Sequence, residues 1–145
     1  MFVTYTPDGS GPQKWEFKPG KIRATRSSFL EKVFSKLSGE KQTYEQFKAA
    51  VQQGSSPARR TLLWHLMSLE HPNLPVDDVD FEEDELVVEF SRDELEGIYA
   101  AIKSAKMPDE SQREMMLGAI EAQMETAPEG DGGKAQLTTL ESATG

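Results

Sequence analysis

The chain has 145 residues, 37% of them hydrophobic and 28% charged, with a net charge of −9 and no cysteine. That is enough chain for one compact core, and it excludes disulfides and thiolate chemistry. The opening MFVTYTPDGSG lacks a charged stretch followed by an apolar one, so no signal peptide is expected. No run approaches the roughly 18 apolar residues of a membrane span, so a cytosolic site of action is expected.

Phe2–Tyr5 and Lys14–Phe17 read as two strands around a dense turn signal, Pro7-Asp8-Gly9-Ser10-Gly11-Pro12, which predicts a small hairpin. A hairpin alone is marginal, so Trp15 and Phe17 are expected to pack on the helices that follow. Ser28-Phe29-Leu30-Glu31 fits a capping box, and Leu30, Val33, Phe34 and Leu37 follow at helical spacing up to Gly39. Thr43-Tyr44-Glu45-Gln46 is a second box, opening a helix striped by Tyr44, Phe47 and Val51 and stopped at Gly54. A third helix is predicted from about Pro57 to Glu70. Ser55 or Ser56 caps it, Pro57 sits in its first turn, and His71-Pro72 ends it. Its apolar face is Leu62, Leu63, Leu66, Met67 and Leu69. Three helices with short connections predict a compact helical unit.

An acidic run follows, seven carboxylates in the nine residues Asp77–Glu85. Leu86, Val88 and Phe90 then alternate as a strand expected to join the hairpin. Ser91-Arg92-Asp93-Glu94 is a third capping box for a helix to about Ala105. Pro108-Asp109 opens a last helix with Met116, Ile120 and Met124 at i, i+4, i+8. From Ala127 the composition turns to Pro, Gly, Thr and Ser without periodicity. The resulting expectation is a mainly α, α+β fold. A single compact domain over residues 1–126 holds a small antiparallel sheet (N-terminal hairpin plus a strand near 86–90), packed on a bundle of about five helices. A flexible tail over 127–145 follows.

Charge is split along the chain. Residues 1–70 carry 11 Lys/Arg and 6 Asp/Glu, whereas residues 71–145 carry 5 and 19. Such a split serves either an attraction between the halves or two surfaces for different partners, and it equally suits plain solvated faces. The two histidines, His65 and His71, flank a helix end, and no nucleophile elbow, P-loop or zinc-protease motif accompanies them. Catalysis is therefore not expected, nor is a cofactor. The acidic run lacks the glycine and the spacing of a calcium loop, so no metal site is expected. Asp77, Asp78, Asp80, Glu82 and Glu83 read as a solvated loop or a patch for a basic partner, with Val79 and Phe81 as its apolar anchors.

Candidate binding residues lie on two helices. Arg59 and Arg60 oppose the dipole at the start of the third helix, which favours compensating contacts. Arg60 stacking on Trp64 and Arg59 pairing with the acidic loop would form a structural latch; a role in partner binding is the alternative. Leu63, Trp64, Leu66 and Met67 complete that surface. On the last helix, Met115, Met116, Ile120 and Met124 suit an adaptable apolar surface, or else a helix-on-helix core. Nucleic acid is not expected as a partner, because an acidic chain repels phosphates.

The residues also carry a family likeness. W-x-F-x-P-G (Trp15, Phe17, Pro19, Gly20) is followed by T-Y-E-Q-F (Thr43 to Phe47). Gly54, Ser55, Ala58, Arg59, Arg60, Leu62, Leu63 and Trp64 come next, then Asp77 to Phe81. Over roughly residues 13–90 this pattern resembles the tail assembly chaperones of phages with long, non-contractile tails. The stretch before Trp15 and the region after Phe90 match no pattern. The resemblance implies a protein that coats the aggregation-prone, helical tape measure protein while the tail tube polymerises around it, and that is absent from the finished virion. It also implies a longer, frameshifted product that recruits tail tube protein, this chain being the short form, with homo-oligomers possible. Action in the host cytoplasm follows. The rival classes are a structural virion component, such as a connector or tail completion protein, and an acidic mimic or inhibitor acting through Asp77–Glu85.

Overall fold

The computed structural model describes residues 1–106 and 108–128. The fold is mainly α, with five helices and a small three-stranded antiparallel sheet. The elements run β1 (Phe2–Tyr5), β2 (Gln13–Glu16), α1 (Ala24–Ser38), α2 (Tyr44–Gln52), α3 (Ser56–Ser68), β3 (Leu86–Glu89), α4 (Arg92–Ser104) and α5 (Glu110–Thr126). The strand order is β2-β1-β3, so the strand near 86–90 joins the hairpin on the β1 edge. Pairing extends past the strand ends, with Thr6 N–H donating to the Glu85 carbonyl at 2.8 Å.

The described residues form two compact units, Val3–Val87 and Met1–Phe2 with the described residues from Val88 onward. In the first, α1, α2 and α3 pack on one another. Its core includes Val3, Phe17, Leu30, Phe34, Phe47, Val51, Leu62, Leu63 and Leu66, all almost fully buried. Phe34 and Phe47 meet edge to face at 5.8 Å, and Phe17 packs edge-on to His65 at 5.6 Å. Phe17 therefore anchors the end of the hairpin against α3, as the marginal stability of a lone hairpin requires.

Local chemistry sets most helix ends. Thr43 and Gln46 form a reciprocal capping box on α2, and Ser91 and Glu94 form one on α4. Ser55 caps α3, with Pro57 in the first turn. Gly39 ends α1 in the left-handed region at φ 84, where a side chain would be strained.

β2 is shifted by one residue from the expected Lys14–Phe17, and two helix boundaries differ by more. α1 begins at Ala24, not at a Ser28 cap, and its N-cap Arg23 makes no side-chain capping bond. The Ser28–Glu31 box does not form because the helix starts a turn earlier and leaves Ser28 inside it; the Glu31 carboxylate accepts the Tyr44 N–H at 2.9 Å and so caps the start of α2. α3 stops at Ser68, and the last turn before Pro72 is carried by Glu70 and His71 N–H donating to the Met67 carbonyl.

In the second unit α4 packs against α5. The Met1 ammonium pairs with Glu94 at 2.6 Å. Arg92 N–H donates to the Pro128 carbonyl at 3.0 Å, so the first residues of the expected tail return to the start of α4. Residues 129–145, the remainder of that tail, lie outside the described residues.

Candidate functional site

α3 divides the sequence-predicted residues between interior and rim. Leu63 and Leu66, expected on a binding surface, are core residues with almost no exposure. The reason is that α3 is covered by both α1 and α2, so its apolar residues are buried around more than one face. Trp64, Met67, Arg59 and Arg60 are half-buried.

A latch to the acidic loop is present, but its chemistry differs from the expectation. Arg60 reaches backbone carbonyls: Nε donates to Val79 at 2.5 Å, and Nη2 donates to Val76 at 3.3 Å and Asp77 at 3.5 Å. Arg59 turns back to its own neighbourhood, Nε donating to the Val51 carbonyl at 3.2 Å. Burial lowers the Arg59 pKa, and the charge of Glu83 opposes that shift. The cation over the Trp64 ring is Arg26, at 5.0 Å, while Trp64 Nε1 donates to the Leu74 carbonyl at 2.9 Å. A guanidinium fork satisfies several carbonyls at once, which explains why carbonyls rather than a carboxylate hold it.

The acidic loop is thus fixed by its backbone. Val79 is buried and Phe81 half-buried, while Asp77, Asp78, Asp80, Glu82 and Glu83 face solvent. Two carboxylates cap the loop's own N–H groups, Asp80 accepting from Phe81 and Glu85 from Glu82, and Glu85 also accepts the Asp8 N–H of the hairpin turn. Among the described residues no group of three or more His, Cys, Asp or Glu is arranged to hold a metal ion. No described helix is long and apolar enough to cross a membrane.

Sequence reasoning missed Arg26 and the buried state of His65. Arg26 Nε donates to His65 Nδ1 at 2.9 Å, and Arg26 Nη2 donates to Ser68 Oγ at 2.5 Å. Burial, and then the Arg26 charge, push the His65 pKa down to about 4. The unfolded chain regains a value of about 6.5. Protons therefore bind the unfolded state first, and stability is lost as pH falls from about 6.5 towards 4. At pH 5 the expected loss is about 2 kcal/mol relative to pH 7.5. Denaturant midpoints at the two pH values check this, and His65→Asn, which does not titrate, is expected to flatten the dependence.

α5 presents a different surface. None of its 17 residues is buried. Arg113, Leu117, Ile120 and Met124 are half-buried at helical spacing, the face turned towards α4. Arg113 bonds Glu110 and the Ala105 carbonyl, closing the turn between the two helices. Ile120 and Met124 therefore belong to helix packing, whereas Met115 is 75% exposed and Met116 38%. The predicted methionine stripe is two faces, one packed and one open. Compared with protein-family models, with curated proteins and with solved structures, the chain matches none.

Proposed function

We propose that this chain is a tail assembly chaperone of a phage with a long, non-contractile tail, acting by binding rather than catalysis. Amphipathic helical segments of the tape measure protein dock on the outer face of α5, around Met115 and Met116. The observation that carries this reading is a long helix with no buried residue and an open pair of methionines. Methionine adapts to varied apolar partners, and the flanking carboxylates Glu110, Glu114 and Glu121 keep a complex soluble. The motif likeness over residues 13–90 supplies the choice of partner. In this reading the tail tube protein is recruited by a longer, frameshifted product. The protein works in the host cytoplasm and does not remain in the mature virion.

Co-expression with the tape measure protein encoded beside it tests the reading. Soluble tape measure protein co-eluting with this chain is the expected result. Insoluble tape measure protein, with this chain eluting alone, overturns it.

A further inference from the structure

A second surface has the opposite character. Between α1 and α3 lies an open groove of about 560 Å³. Ile22, Phe29, Trp64 and Leu69 contribute its apolar lining, with Phe29 55% and Leu69 62% exposed. An aromatic on α1 and a leucine just past the end of α3, both left this open, form a patch suited to covering.

The charged residues that line this groove are all of one sign. Lys21, Arg23 and Arg26 line it, and none of them pairs with a carboxylate among the described ion pairs. Arg26 is the informative one. Its guanidinium is held by two neutral acceptors, His65 Nδ1 and Ser68 Oγ, and lies 5.0 Å from the Trp64 ring centre and 6.0 Å from that of Phe29. It is therefore oriented and partly desolvated, yet its charge is uncompensated. A charge in that condition gains strongly from an anion that arrives with its own apolar surroundings. The first turn of α1 adds to the positive field, since it holds no acidic residue and its N-cap makes no side-chain bond. In a chain with 25 acidic and 16 basic residues, three unpaired cations around one apolar groove form a distinct recognition surface.

We propose that the α1–α3 groove binds an acidic, amphipathic peptide segment. Its apolar side chains cover Phe29 and Leu69, and its flanking carboxylates meet Arg26, Lys21 and Arg23. A nucleic acid matches the charge but leaves the aliphatic part of the floor, Ile22 and Leu69, uncovered, and the net charge of −9 repels a polyanion. This inference stands independently of the tail-assembly reading, because it concerns another surface and a partner of defined charge.

Fluorescence titration of the full chain tests it, using Trp15→Phe so that Trp64 alone reports. The probe is a helical peptide of about 18 residues, five turns long, with leucines along one face flanked by glutamates. The controls are the same peptide with lysines replacing the glutamates, and oligothymidylate. The expected result is a saturable, salt-weakened response to the acidic peptide alone. In Lys21→Glu/Arg23→Glu, both exposed positions, affinity is expected to fall on the order of tenfold or more with unchanged melting. No response to the acidic peptide, an equal response to the lysine peptide, binding of oligothymidylate instead, or unchanged affinity in the double variant each overturns the proposal.

Discussion

Leu66→Asp is expected to abolish folding. Leu66 is almost fully buried on α3, the helix that packs against both α1 and α2. A carboxylate there loses its hydration without gaining a partner, and must either protonate or expel itself from the core. Such a change costs at least about 4–5 kcal/mol, a large fraction of the roughly 5–15 kcal/mol that holds a domain together. Circular dichroism and size-exclusion chromatography check this directly, and a cooperative native-like melt would contradict it. Met116→Asp, at 38% exposure on α5, is expected to change stability by no more than about 0.5 kcal/mol. The contrast separates two apolar residues that sequence reasoning placed on the same kind of surface.

Arg60→Met carries the second large effect. The substitution keeps most of the apolar stem but removes the donors that hold Val76, Asp77 and Val79. With Arg60 half-buried and its acceptors neutral carbonyls, the expected loss is about 2–3 kcal/mol. The buried Val79 anchor should loosen with it, so protease cleavage within residues 76–85 should accelerate in the variant. Arg60→Lys is expected to recover little, because an ammonium does not reproduce the fork that reaches several carbonyls. Denaturant unfolding together with limited proteolysis tests both variants. An unchanged midpoint in Arg60→Met would show that the loop is held by something else.

The parts of this fold that were legible in the sequence are those set by near neighbours. Thr43 with Gln46, and Ser91 with Glu94, close capping boxes within three residues, and Gly39 supplies the left-handed turn its helix needs. Two misreadings involve residues whose partner is distant in sequence. Glu31 matched a box with Ser28 but bonds Tyr44 instead. Arg60 matched Trp64 at one helical turn, yet Arg26 covers that ring and Arg60 reaches the following loop.

Leu63 and Leu66 show a further limit. Periodicity tells which residues share a face, but not whether another element covers it. On α5 the same limit merged Met115 and Met116 with the packed residues Ile120 and Met124. Arg26 and Phe29 did leave a trace. Phe29 falls outside the Leu30, Val33, Phe34, Leu37 stripe, directly after a basic stretch containing Lys21, Arg23 and Arg26. An aromatic off the apolar stripe, just after a basic stretch, is the trace this surface left in the sequence.

The most direct test of the central claim is capture of a tape measure fragment by Met115→Asp/Met116→Asp compared with the unaltered chain, with melting curves recorded on both. The account expects capture to be lost while the variant stays folded and melts close to the unaltered chain, because Met115 is open and Met116 lies at the edge of the packed face, neither belonging to the buried core. Undiminished capture by the folded double variant would contradict it and remove α5 as the binding surface.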